Sequence, residues 1–210
     1  MNRDSLLYPL RNPQNTEHDS ALWNWAQNTV VGQREQVHQP QNEAELQQRL
    51  KSSSGKVRVI GSRLSPGRML CVNADDLLLD LSAMQGVLGE DDASITFAAG
   101  TVLQQVFDAL SERNRMLACS PGVISVQTLA GAMATGTHGQ GLNQSSLADE
   151  ALSIRMVMAD GSVQKIDRHH PWFHAVQRGR DCLSVVTAVT LHTLPSAVYT
   201  CFKNAVSGDA

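Results

Sequence analysis

The sequence predicts an α+β fold, as one large domain or two small lobes sharing a core, and three observations carry that expectation. The 210-residue chain is 42% hydrophobic and 18% charged, which suffices for a substantial core and lies far from a disordered composition. Its middle and end read as strand, strand, strand, helix, glycine-rich segment, hairpin, helix and strand, not the βαβα alternation of a doubly wound sheet. Two separated loops rich in small polar residues, "VRVIGSRLSPG" (57–67) and "AGAMATGTHGQG" (130–141), interrupt the apolar segments.

Taken in order, residues 1–40 are polar and rich in Gln and Asn, and read as a lead-in to the domain. Within them "LWNWA" (22–26) is expected to pack onto the domain behind it. Asn42 is placed to cap a helix over 41–53, with Leu46 and Leu50 on one face. A β-rich run from Val57 ends at Gly61, and further strands are predicted over Asp76–Ser82 and Ala93–Gly100. Thr101 is expected to cap a helix carrying Val102, Val106, Phe107 and Leu110 at helical spacing. "MLACSPG" reads as a short strand ended by Pro121-Gly122. Residues 151–167 alternate around Asp160-Gly161, a hairpin signal. Pro171 and Gly179 bracket another helix, and a last long strand over 183–194 stops at Pro195. The domain is thus expected over 41–195, with 196–210 as a tail.

Several classes of function are disfavoured. A net charge of −3 advertises no surface for nucleic acid. No apolar run reaches the ~18 residues of a membrane span. The first residues lack the apolar length and small-residue cleavage site of a secretory signal, so the expected compartment is the cytoplasm. Cys71, Cys119, Cys182 and Cys201 are scattered without a CxxC pair, and suggest neither a zinc site nor a disulfide framework. His169, His170 and His174, with Asp167 and Trp172 nearby, read as a surface loop and not a metal site. Asp75-Asp76 and Glu90-Asp91-Asp92 read as solvated turns, and Ser120 and Ser125 lack the GxSxG setting of a hydrolase.

The small-residue run has three uses open to it: phosphate binding through backbone N–H groups, a close helix crossing, or a plain loop. Gly136, Gly139 and Gly141 are spaced GxxGxG, which is not the GxGxxG dinucleotide fingerprint, and no GK[ST] of a P-loop is present. Gly61, Ser62, Arg63 and Ser65 form a second phosphate-compatible turn after a strand. Two such loops, without either standard motif, suggest one large phosphate-bearing ligand clasped between two lobes.

"VRVIGSRLS", "SVQTLAGAMATGTHGQG" and "VVTAVTL", in that order and spacing, resemble the PCMH-type flavin-binding domain of the vanillyl-alcohol oxidase family. The subgroup is that of sugar-lactone and alditol oxidases, whose members read GSGHS in the first loop and QTIAGAISTGTHGTG in the second. The resemblance covers about residues 22–195. It implies an oxidoreductase domain with FAD extended between two α+β subdomains, and oxidation of a CH–OH group. On that template Val59, Ile60, Gly61, Ser62, Arg63, Leu64 and Ser65 line the pyrophosphate and ribityl side. Thr128, Gly131, Thr135, Gly136, Thr137, His138 and Gly139 flank the isoalloxazine and pyrophosphate, and Val186 reaches the adenine end. His138 is read as scaffold for the cofactor, and no catalytic residue is nominated.

Three departures shape the expectation. Leu64 stands where GSGHS members carry the histidine that bonds the flavin covalently, so FAD is expected to be held non-covalently. Asp181 and Ser184 replace glycines of a GALGV step, and the aspartate would repel FAD phosphates. Nothing in these 210 residues offers the family's substrate domain, so the substrate pocket is expected to be missing, truncated near 196–210, or supplied by a separate substrate-domain chain or an oligomer partner. Against these stands the alternative of a non-catalytic remnant acting as a weak flavin-binding or interaction module.

Overall fold

In the computed structural model, residues 20–119, 121, 125–179, 182–198 and 200 are described. They form two larger packed sheets, two two-stranded pairs and four α-helices. The first is a parallel three-stranded sheet of β3 (Val37–His38), β5 (Leu77–Asp80) and β4 (Val57–Ile60), with β5 central. Its crossover helix α1 (Glu43–Ser52) begins where Asn42 accepts a 3.0 Å hydrogen bond from the Glu45 N–H, and it buries Leu46 and Leu50 as expected. The run "LLL" explains why β5 is central: Leu77 and Leu79 enter the main core while Leu78 faces a second cluster with Leu22, Val31 and Ile60. A parallel strand buried on both faces needs such an unbroken apolar run.

Residues read as a polar lead-in supply more structure than expected. β1 (Ala21–Trp23) and β2 (Val30–Gln33) pair as an antiparallel hairpin, and Leu22 and Val31 cover the outer face of the parallel sheet. The "LWNWA" patch does pack inward through Leu22, while the Trp25 ring is 42% exposed.

The second sheet is antiparallel, in the order β10 (Val163–Asp167), β9 (Ala151–Val157), β11 (Val185–His192), β7 (Ser94–Ala98), β6 (Val87–Glu90). The hairpin of β9 and β10 forms around Asp160-Gly161, where Gly161 has φ +76°. Strand β6 has no counterpart in the expected elements, because "VLGE" is too short and too exposed to show alternation. A two-residue pair, β8 (Arg115–Met116) with β12 (Leu194–Pro195), closes one end. Helices α2 (Leu103–Glu112), α3 (Leu129–Ala134) and α4 (Phe173–Gln177) pack on this sheet.

Thr101 does not cap α2. It is buried, its hydroxyl donates to the Ala98 carbonyl at 2.6 Å, and the Val102 N–H is met by the Gln105 side chain instead. The predicted strand over "MLACSPG" shrinks to β8, with Ser120, Gly122 and their successors to 124 outside the described residues.

Helix α1 is the bolt between the two sheets. Arg155 on β9 donates to both carboxylate oxygens of Glu43, at 2.8 and 2.7 Å, and Thr187 on β11 donates to the same carboxylate at 2.9 Å. One turn on, Gln47 donates to the Gly161 carbonyl at 2.7 Å. The Arg155 hydrogen bonds, joined by that of Thr187, hold the Glu43 carboxyl below its usual range against the opposing effect of burial.

Candidate functional site

The cleft between the two sheets opens at the end of β4, where the strand runs into Gly61. Gly61 has no space for a side chain: a Cβ there would stand 2.5 Å from Oγ1 of Thr128. A Cβ at Gly131 would stand 2.8 Å from the same oxygen. Thr128 is buried and pairs with Val102 in an isolated bridge, so both glycine-rich segments close on one threonine hydroxyl. Ser62 adds a hydrogen bond from its hydroxyl to the Val126 carbonyl. The loop is also tied to the N-terminal hairpin: the Trp25 N–H donates to the Arg63 carbonyl at 2.9 Å, and the Arg63 guanidinium donates to the Trp23 carbonyl at 2.9 Å.

The main cavity beside this junction has a volume of about 340 Å³, within the range of small-molecule sites. Nine of the expected site residues line it: Val59, Gly61, Ser62, Arg63, Leu64, Ser65, Thr128, Gly131 and Thr135. Ile60 lines an adjoining hollow that shares Val59, Gly61, Thr128 and Gly131 with it. Val186 lies further along, in a narrow hollow with Leu183 and Ser184, which in turn adjoins a cavity of about 230 Å³ walled by Val57, Val59 and Val185. These spaces share wall residues and so lie next to one another along the junction of the two sheets.

Gly136, Thr137, His138 and Gly139 line none of these four hollows. Gly136, at φ +68°, ends α3: its N–H bonds to the Met133 carbonyl at 3.1 Å, and the Thr137 N–H to the Ala132 carbonyl at 2.9 Å. That is the Schellman pattern, which needs a residue at positive φ and favours glycine. His138 is exposed, with Nδ1 2.8 Å from the Gly139 carbonyl, and its backbone bridges to Ser146. Ser184 is buried and its hydroxyl meets the Met156 sulfur at 3.0 Å, while Asp181 lies outside the described residues.

Sequence reasoning passed over Arg58, Pro66, Met69, Leu70 and Gln127, which also line the main cavity. Arg58 left a signal, a charged residue within the otherwise apolar "VRVI" strand. The segment with Met69 and Leu70 has no periodicity and left none. The described lining thus includes Arg58, Arg63, Ser62, Ser65, Thr128 and Thr135 and no aspartate or glutamate.

Hollows that share wall residues between a small parallel sheet and an antiparallel sheet define a two-subdomain α+β protein with room for a ligand at the junction of the two. The comparisons make this specific: residues 35–167, more than half of the chain, match the family described as FAD binding domain, and the chain belongs to it. It is 30% identical over 182 residues to L-gulono-1,4-lactone dehydrogenase of Mycobacterium tuberculosis, covering 84% of this chain and 41% of that protein. It is 28% identical to mouse L-gulonolactone oxidase (82% and 40% covered) and 29% identical to alditol oxidase of a Streptomyces species (84% and 43% covered). Among solved structures, a cholesterol oxidase from Brevibacterium sterolicum superposes with a TM-score of 0.73 at 20% identity, over 89% of this chain and 40% of that one. The chain therefore spans about two fifths of the length of these relatives.

Proposed function

We propose that this chain binds FAD non-covalently along the cleft and serves as the flavin domain of an oxidoreductase acting on a CH–OH group of a sugar lactone or alditol. The observation that carries the reading is Leu64 in the wall of the main cavity, beside the loop backbone that faces a dinucleotide in this family. A leucine side chain has no nucleophile, so retention of the cofactor rests on shape and charge. When bound, FAD supplies the hydride acceptor; the protein supplies position and exclusion of water. The loop after β4 and the start of α3, drawn together by Thr128, offer backbone N–H groups and hydroxyls to the phosphates, with Val186 towards the adenine end. Thr135 to Gly139 continue that rim, with Gly136 fixing the turn and His138 as scaffold.

A second domain, on a separate chain or further along the same protein, supplies the substrate pocket; this fits the two-fifths span of the relatives. Among the described residues no helix is long and apolar enough to cross a membrane. The reading includes a cytoplasmic setting, which suits Cys71, Cys119 and Cys182 as free thiols.

An absorption spectrum of the purified chain, before and after acid precipitation, tests this. Visible flavin bands that pass into the supernatant are the expected result. Colour retained in the pellet refutes non-covalent binding. A protein that stays colourless with excess FAD refutes the flavin reading and leaves the interaction module.

A further inference from the structure

We propose that Glu43, Arg155 and Thr187 form a clasp that sets how the two subdomains lie against each other, and thereby how firmly the cleft between them keeps its ligand. The inference rests on the reading that the cleft takes FAD, although none of the three residues lines any of the four hollows described above. Helix α1 shares the main core with β5 through Leu46 and Leu50. Apolar packing is non-directional, so hydrogen bonds have to fix where the helix sits on the second subdomain. Those bonds come from one stripe of α1, at i, i+4 and i+8 spacing. Glu43 accepts two from Arg155 on β9 and one from Thr187 on β11, and Gln47 donates to the Gly161 carbonyl. Lys51 lies over Gly161, where an added Cβ would stand 2.5 Å from its Cε.

Thr187 meets Glu43 at an irregularity of β11. The register pairs Val186 with Met156 and Ala188 with Arg155, so Thr187 is an extra residue on its strand, as in a β-bulge. A bulge bends its strand and re-aims a side chain. The same elements reach the hollows. Leu50 of α1, Val157 of β9 and Val185 of β11 wall the cavity of about 230 Å³, opposite Val57 and Val59 of the first subdomain. Val186, next to the bulge, walls the narrow hollow beside it. Leu50 stands roughly 10 Å along the helix axis from Glu43 at ~1.5 Å per residue. A shift at the clasp is therefore carried by α1, β9 and β11 into the spacing of the cavity walls. Glu43 is a positioning residue, and a cleft correctly spaced for only part of the time binds with an affinity reduced by that fraction.

The test compares wild type, Glu43→Ala, Arg155→Met, which keeps the aliphatic stem, and the double variant. Glu90→Ala is the control, because it breaks the Arg113–Glu90 ion pair between α2 and β6, inside the second subdomain. Affinity of the full chain for FAD is measured by titration, with thermal unfolding as a check on folding. Backbone hydrogen exchange without FAD is followed in 155–161, 183–187 and, for reference, 103–112. Each clasp variant should lose about three- to tenfold in FAD affinity, and the double variant no more than either single one. Glu90→Ala should bind as wild type. Exchange should quicken at 155–161 and 183–187 in the clasp variants and stay unchanged at 103–112. Unchanged affinity in the clasp variants overturns the proposal, as does an equal loss in Glu90→Ala or additive losses in the double variant. Wild type that takes up no FAD overturns the flavin reading, and the exchange comparison alone then decides the clasp: local quickening upholds it and equal exchange overturns it.

Discussion

Replacing Gly61 by alanine tests the junction that makes the cleft. The added methyl would stand 2.5 Å from Oγ1, 3.3 Å from Cγ2 and 3.5 Å from Cβ of Thr128, whereas unstrained contacts between carbon atoms lie near ~3.5–4.0 Å. Thr128 is buried and β-branched, so rotation that removes Oγ1 swings Cγ2 towards the same space. Gly61 does not have a positive φ, so alanine meets no backbone penalty and would otherwise stabilise by ~0.4–1 kcal/mol through the unfolded chain. The sign of the effect therefore reports the contact itself. Gly61→Ala is expected to destabilise by ~1–3 kcal/mol, the usual range for overpacking. Thr128→Ala removes Oγ1 and Cγ2, the two nearest of these atoms, so in that background Gly61→Ala should cost much less. Denaturant unfolding of the four proteins gives the coupling energy, expected at about 1 kcal/mol or more. A Gly61→Ala protein as stable as its parent, or strict additivity in the double variant, would refute the closure on Thr128.

Two further predictions concern titratable groups. Glu43, held below its ordinary 4.5 chiefly by the Arg155 hydrogen bonds, contributes stability that is present above 4.5 and lost as pH falls through its lowered folded value. Because Arg155 is half exposed, Glu43→Gln should cost only ~0.5–1 kcal/mol at neutral pH. That difference should vanish in acid, and a gap that persists there in denaturant titrations would show that charge is not its source. Burial pushes the Cys119 thiol up to about 12 from 9.0, with Glu150 adding repulsion, so its contribution is intact below 9 and is lost as pH rises towards 12. In the folded protein Cys119 should resist a thiol reagent at mildly alkaline pH while exposed Cys182 reacts. Mass mapping of the labelled protein decides it, and early labelling of Cys119 would contradict the burial.

What could be read in advance was what repeats or caps locally. Helix α1 announced itself through Asn42 and the Leu46–Leu50 spacing, and the β9–β10 hairpin through Asp160-Gly161. The interrupted order of strands, helices and hairpin was enough for the α+β class, and the two subdomains followed from the family resemblance. What resisted reading depends on partners distant in sequence. The Thr101 hydroxyl looked like a cap, but the Ala98 carbonyl and the Gly86 N–H claim it, and a glutamine side chain serves the helix. Strands β1 and β2 are short apolar stretches, "ALW" and "VVGQ", within a segment that is polar overall, and Leu22 and Val31 face the parallel sheet. Met69 and Leu70 enter the cavity from an irregular segment, which no periodicity can reveal.

The glycine-rich signature itself divides once the geometry is known. Gly61 and Gly131 are small because both face Thr128, and Gly136 is glycine because a helix ends there at φ +68°. Each of these demands comes from the protein's own packing, so a chain could keep "AGAMATGTHG" intact for stability alone. The pattern therefore identifies the fold more strongly than it identifies a bound cofactor. Evidence for a ligand has to come from residues that packing does not require. Arg63, at φ +57° where glycine is favoured, already bonds the Trp23 carbonyl, so it too has a packing role, whereas no hydrogen bond among the described residues accounts for Leu64 in the cavity wall. The two substitutions are adjacent, in one loop, on one cavity wall.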